Sequence, residues 1–442
     1  MFNDKAFYIV QTLAEQGFQA VYAGGCVRDF LLGLEPHDID IATNARPDEI
    51  EALFPKTVAV GKAFGVIVVV IDDEEFEVAT FRSDGEYSDG RRPDSVSFSS
   101  LEEDAKRRDL TINGMFYDPL AKQIIDVVSG QTDLEQKTIR LIGSPTERIK
   151  EDKLRLMRVV RFAARLGFKI EFSTYLAVMQ HASEISTISV ERIADEMTKI
   201  LRVEDKQRAL ELLFDTKLLH AFLPEIVVMK GCEQPPQFHP EGDVWVHTLL
   251  ALSMLPKDAS DTLLWGTFLH DVGKPSTQTF EDRIRFSGHD SKGKVMAEEI
   301  LKRLKFSNEF IEQVVSLVEN HMKFTAVDRM RVSKLKRFLN LPKFDEHMEL
   351  HRVDCESSHG GLEHYEFVKE KMKTFEATPE TTKLDKLPRI VTGHDLIAMG
   401  YPKGKLFRTI LEDVEDQQLE EQIFSRDEAL EYIKRTYIMN PL

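Results

Sequence analysis

Asp38 and Asp40, separated by one apolar residue, are the pair whose types and spacing suit a divalent cation. Two carboxylates this close repel each other unless a cation lies between them, and oxygen donors beside phosphate favour Mg²⁺. Just upstream runs Ala23-Gly24-Gly25-Cys26-Val27-Arg28-Asp29. Gly24 and Gly25 allow a sharp turn and a close backbone approach to a ligand. Residues 27–32 read as the opening of a helix, whose free N–H groups and positive dipole end favour an anion. Arg28, in that first turn, adds a charge-assisted fork for a phosphate. Together these residues predict a phosphate cradle feeding a metal site.

Such side chains need a sheet to hold them. Asp38 and Asp40 alternate with Ile39 and Ile41, which predicts a strand carrying both carboxylates on one face. Phe7, Val10, Leu13 and Phe18 give a helical periodicity ahead of a strand ending at Tyr22. Residues 47–54 predict a helix with Pro47 in its first turn, and 66–71 and 76–81 predict strands. Glu77, in the second of these, is a third candidate metal ligand, weighed against an ordinary solvated side chain. Residues 82–93 are polar, glycine-containing and aperiodic, and predict a mobile loop. Residues 101–108 predict a helix ending in Lys106-Arg107-Arg108-Asp109, whose cations suit a bound triphosphate.

Composition sets outer bounds. The 442 residues suffice for two to four domains. With 42% hydrophobic and 30% charged residues the chain reads as soluble and globular. The apolar run at 66–71 is too short to span a membrane, and no basic-then-apolar secretory pattern opens the chain. Cys26, Cys232 and Cys355 form no Cys-x-x-Cys pair, which points to a reducing cytoplasm. The net charge of −17 speaks against nucleic acid as a partner only weakly, because binding depends on local patches.

The motifs occur in a telling order. Gly24-Gly25-x-Val27-Arg28-Asp29, Asp38-x-Asp40, Arg107-Arg108-Asp109-x-Thr111-x-Asn113 and Glu151-Asp152-x-x-Arg155-x-x-Arg158-x-x-Arg161-Phe162 resemble the motif series of class II tRNA nucleotidyltransferases. These are the CCA-adding enzymes and their bacterial poly(A) polymerase relatives. Asp126-Val-Val-Ser-Gly-Gln-Thr-Asp-Leu134 is similar to the family's hinge-like motif between head and neck. Lys153 stands where many members have Pro, and Gly114 where Ala is common; Lys153 is expected to loosen the start of its helix. Residues 150–166 read as one helix in which Asp152, Arg155 and Arg158 face roughly one way and Arg161 drifts to the flank. Leu156, Val160 and Ala163 supply its buried face.

Residues 167–230 are helical by pattern, and the composition shifts at Pro235-Pro236. Beyond it, Phe268-Leu-His-Asp-Val-Gly-Lys274 resembles the HD phosphohydrolase family, in which such residues hold divalent metals. His247, His270, Asp271 and Asp354 are the implied ligands, with His289 and His321 as further candidates. Residues 391–431 resemble the family's C-terminal helical segment, where Lys403, Lys405 and Arg408 are placed to meet RNA phosphates. Arg408 stands where a small residue is expected.

The resemblance implies an α+β fold. Residues 1–140 would form a polymerase-beta-like nucleotidyltransferase head with a small mixed sheet, and 141–230 a helical neck and body. Residues 240–360 would form the HD domain, and 361–442 a helical tRNA-binding tail. It implies CCA addition to the tRNA 3′ end from CTP and ATP by two-metal nucleotidyl transfer. Asp38 and Asp40 would hold Mg²⁺ and be catalytic. Gly25, Arg28 and Arg108 would hold the triphosphate, Asp109 the ribose, and Asp152, Arg155, Arg158 and Arg161 the nucleotide beyond it. A second divalent metal would occupy the HD domain, with phosphohydrolase activity. Cytosine and adenine share an amino donor beside a ring-nitrogen acceptor, while uracil and guanine reverse that order. A carboxylate at Asp152 beside a guanidinium at Arg155 would match the first pair. The rivals are an A-adding enzyme or poly(A) polymerase, an HD phosphohydrolase with a nucleotide-binding head, and a non-catalytic RNA-binding protein. The loop at 82–93 disfavours a C-only adding variant.

Overall fold

The computed structural model describes residues 3–36, 38–85, 95–376 and 389–438. The tip of the expected loop, residues 86–94, lies outside them. The chain divides into two compact units, residues 1–228 with 300–306, and residues 229–299 with 307–442.

The first unit opens with α1 (Asp4–Glu15), which buries Ala6, Ile9, Val10 and Leu13 on one face. Phe7, expected on that face, is 38% exposed, because one step of the helix turns it away. The strands are β1 (Ala20–Ala23), β2 (Ile41–Thr43), β3 (Thr57–Gly61), β4 (Val66–Ile71), β5 (Glu74–Thr80), β6 (Arg82–Asp84), β7 (Val96–Phe98), β8 (Phe116–Asp118) and β9 (Gln123–Ile125). Among the described residues, seven of them form a mixed sheet ordered β3-β4-β5-β2-β1-β8-β9. The β2–β5 pairing is parallel and the others antiparallel. β6 and β7 pair separately at the base of the expected loop.

Four short helices attach to this sheet: α2 (Gly25–Leu31), α3 (Pro47–Leu53), α4 (Leu101–Arg107) and α5 (Gly130–Glu135). Leu101 and Ala105 of α4 pack on Val21, Ala42, Phe81 and Phe116, so the basic end of α4 is anchored to the centre of the sheet. Helices then take over: α6 (Pro145–Glu151), α7 (Arg155–Leu166), α8 (Phe172–His181) and α9 (Val190–Leu201). The expected single helix over 150–166 is interrupted. Asp152 is extended (φ −138°, ψ 105°), and its carboxylate accepts from Leu154 N–H at 3.1 Å. This local bond competes with helical pairing, and Lys153 sits in the gap. α7 buries Leu156, Met157, Val160 and Ala163 and stops at Gly167, whose φ of +67° suits a glycine cap.

In the second unit, helices Val244–Ser253, Asp261–Leu269, Asn308–Asn320 and Phe344–Glu356 accompany Trp245, Trp265 and Phe268, all fully buried. Gly266 lets two of these helices approach closely, since a Cβ there would lie 2.5 Å from Leu317. The tail packs its own core from Leu396, Tyr401, Ile410, Val414 and Ile433. No helix among the described residues is long and apolar enough to cross a membrane.

Candidate active site and metal centre

The sheet and helix α7 enclose an open cleft of about 710 Å³. Gly24, Gly25, Arg28, Asp38, Asp40 and Arg108 line its head side. Asp109, Asp152, Arg155 and Arg158 also line it, so the head and α7 residues singled out in the sequence converge here, apart from Glu77 and Arg161. Arg161 is not among the lining residues. Its Nε donates to the buried Glu196 carboxylate at 2.5 Å, which holds it on the flank of α7.

Asp38 and Asp40 do not lie within a strand. β2 opens at Ile41, and only the Asp40 carbonyl still reaches the ladder, accepting from Ala23 N–H at 2.9 Å. Both carboxylates therefore stand exposed at the sheet rim rather than packed along it. The register Ile41↔Val78 places Glu77 of β5 alongside Asp40. Although solvent reaches Asp40, the cleft walls desolvate it, and Glu77 and Asp38 add repulsion, so its carboxyl sits above its ordinary range. An all-oxygen acidic set under mutual repulsion fits a hard divalent cation.

Gly24 has φ +75°, and a Cβ there would lie 2.7 Å from Arg108 Nη1. Only glycine allows the two to meet. Arg28 is buried, with Nε donating to Asp29 Oδ1 at 2.8 Å and Nη1 to Asn113 Oδ1 at 2.6 Å. Burial lowers its pKa against the support of Asp29. The buried Asp104 of α4 accepts from Arg107 Nε at 2.8 Å and Arg108 Nη2 at 3.1 Å, aiming both cations. Asp109 Oδ1 accepts from Leu110 N–H and Asn113 Nδ2 at 2.7 and 3.1 Å. Its Oδ2 receives Arg158 Nε and Nη2 at 2.7 and 2.5 Å. Burial alone would raise Asp109, but Arg158 and Asn113 hold it well below the usual carboxylate range. Its four acceptor positions are thus filled, and a ribose hydroxyl expected there would have to displace Arg158.

Asp152 and Arg155 are held by different partners. Arg192 of α9 donates from Nη2 to both Asp152 oxygens, at 3.0 and 3.1 Å. Arg155 donates from Nη1 to Glu151 at 2.7 Å and to the Arg148 carbonyl at 2.6 Å, and from Nη2 to the Arg107 carbonyl at 3.3 Å. Sequence reasoning missed Arg82 and Arg165, which line the cleft, and Asp104, Arg192 and Glu196, which hold its arginines and aspartates. Arg165, one heptad beyond Arg158 on the same face, was detectable by helical spacing.

A second cluster lies in the second unit. His247, His270, Asp271, His289 and His321 are buried, and Asp354 is partly exposed. Each imidazole Nδ1 faces an acceptor: Glu241, Thr267 O and Phe286 O at 2.8 Å, and Val318 O at 2.6 Å. The Nε2 atoms turn inward, His247 to His270 at 3.3 Å and His289 to His321 at 3.2 Å. Asp271 lies between the pairs, its Oδ2 3.2 Å from His270 and its Oδ1 3.6 Å from His289. Both oxygens are buried, and Oδ2 also pairs with Lys274 Nζ at 2.7 Å. Converging ring nitrogens around a buried carboxylate fit a metal ion. Burial alone would lower His247, but Asp354 at 3.0 Å and Glu241 bring it up to about 9. Burial and His270 push His321 down to about 4. Glu241 was not singled out in the sequence.

An acidic rim beside a basic cleft on a small mixed sheet is the arrangement of a nucleotidyltransferase head. The family model described as the Poly A polymerase head domain matches residues 20–140, and the probable RNA and SrmB-binding site of polymerase A matches 167–229. The HD domain model matches 245–343. The CCA-adding enzyme of Streptococcus suis is 33% identical over 431 residues, covering 96% of this chain and 94% of that protein. That of Bacillus pumilus is 49% identical over 214 residues, 48% of this chain and 53% of that protein. A crystal structure of the Bacillus stearothermophilus CCA-adding enzyme in complex with CTP has a TM-score of 0.73 and 26% identity, covering 98% of each chain. The chain belongs to the CCA-adding enzyme family.

Proposed function

We propose that this protein adds the 3′-terminal CCA to tRNA from CTP and ATP, with residues 1–140 as head, 141–230 as neck and body, 240–360 as HD domain and 361–442 as tRNA-binding tail. The observation that carries the reading is one cleft with the acidic pair at the head and Asp152 and Arg155 on the neck. Asp38 and Asp40, with Glu77 alongside, would hold Mg²⁺. Bound there, the ion supplies a more acidic 3′-hydroxyl and charge relief at the phosphates. Arg28 and Arg108 neutralise the triphosphate over the Gly24-Gly25 turn. Asp152 accepts from the amino group of C or A, and Arg155 donates to the adjacent ring nitrogen. Uracil or guanine would meet acceptor with acceptor and donor with donor. Three buried thiols support a reducing cytoplasm.

The HD cluster favours a second reading alongside the first. His247, His270 and Asp354 would hold one transition-metal ion, and His289 and His321 another, with Asp271 between them. Phosphate monoesters or 2′,3′-cyclic phosphates at RNA ends are the substrates this site suits. The experiment that tests the main reading offers tRNA transcripts ending before the first C, after the second C and after the final A. CTP alone should add two C to the first transcript, ATP alone one A to the second, and neither should extend the third. Continued A addition would favour a poly(A) polymerase, and addition only to the CC end an A-adding enzyme.

A further inference from the structure

We propose that Arg192 is a specificity-determining positioning residue: it sets the plane of the Asp152 carboxylate and so governs rejection of U and G. The proposal rests on the reading of Asp152 as the acceptor that faces the base. Asp152 stands in the gap between α6 and α7, on extended backbone that no helical pairing holds. Leu154 N–H fixes Oδ1 alone. Rotation about the last side-chain bond is stopped only where a donor spans both oxygens, and Arg192 Nη2 does so at 3.0 and 3.1 Å. Oδ2 has no other donor among the described residues, which leaves it lone-pair capacity for an exocyclic amino group.

Arg192 reaches Asp152 from α9, 40 positions along the chain, through Nη2 alone. Arg155 is held separately by Glu151 and two backbone carbonyls. Loss of Arg192 therefore loosens one base reader and leaves the other fixed. The phosphate cradle, built from Arg28 and Arg108, is held by Asp29, Asn113 and Asp104 and does not involve Arg192.

The test compares Arg192→Met, Arg192→Gln, Arg192→Lys and Asp152→Ala by misincorporation of UTP and GTP against CTP and ATP, with inorganic triphosphate affinity as the second readout. Arg192→Met and Arg192→Gln should raise misincorporation about tenfold, the scale of one hydrogen bond, with triphosphate affinity held. Arg192→Lys, which keeps a charged nitrogen on a shorter side chain, should restore part of the selectivity. Unchanged base preference in the Met and Gln variants, while Asp152→Ala is relaxed, would overturn the role of Arg192. If Arg192→Met does not fold, the Gln and Lys variants carry the same comparison. Asp152→Ala retaining full rejection of UTP and GTP would instead overturn the base reading itself. A loss of triphosphate affinity with selectivity intact would show a structural role and overturn the proposal.

Discussion

Arg158 places its Nε 2.7 Å from Asp109 Oδ2, tying the neck helix to the loop that follows the basic end of α4. The pair holds Asp109 below its ordinary pKa. A depressed carboxyl contributes stability above the unfolded value of about 3.9 and loses it as pH falls from there. Arg158→Met should therefore be destabilised by about 2–4 kcal/mol at pH 7. Denaturant titrations should show the gap to wild type narrowing below about pH 4.

Asp40 is held under electrostatic repulsion by Glu77 and Asp38. Asp38→Ala or Asp40→Asn should reduce nucleotide addition about 10³-fold or more, with tRNA binding retained. Because Glu77 and Asp38 repel Asp40, Asp40→Asn should leave the ion-free melting temperature unchanged or slightly raised. Near-normal turnover at saturating Mg²⁺ would contradict the assignment.

Gly24→Ala combines a left-handed backbone with a steric collision at Arg108. It should cost about 1–2 kcal/mol and weaken CTP and ATP alike, as the proposed role of Arg108 at the phosphates requires. Calorimetry with both triphosphates checks this.

Arg155→Ala should behave unlike Asp152→Ala. Arg155 satisfies the Arg107 and Arg148 carbonyls and pairs with Glu151, so its loss should cost about 3 kcal/mol of stability in addition to base selection. Asp152→Ala should alter base selection at a smaller cost in stability, about 1–2 kcal/mol, through the lost Leu154 cap and Arg192 pairing.

The HD cluster should bind two transition-metal ions per chain, as counted by elemental analysis of the full-length protein. Asp271→Ala should lose both and His321→Ala one. His270→Ala should abolish opening of 2′,3′-cyclic ends to the monoester, and phosphate release from monoester ends, while sparing CCA addition. His247, with a pKa of about 9 in the ion-free protein, binds a proton in competition with metal. Affinity should therefore strengthen as pH rises towards 9.

The sequence by itself determined the family, and it singled out the acidic pair, the glycine turn, the basic end of α4 and the adjacent His270-Asp271. Each is a short local pattern whose chemistry depends on residue type and near spacing. The helix and strand types of the head were also legible, because burial on one face imposes a period. Tertiary structure decided where those groups end and what holds them. Asp38 and Asp40 fall outside β2 because the sheet ladder stops at the Asp40 carbonyl. The helix breaks at Asp152 because its own carboxylate caps Leu154. Glu196 holds Arg161, and Arg192, 40 positions beyond Asp152, holds its carboxylate. No local period records such pairings, since they arise only when separate helices bring distant charges out of water together.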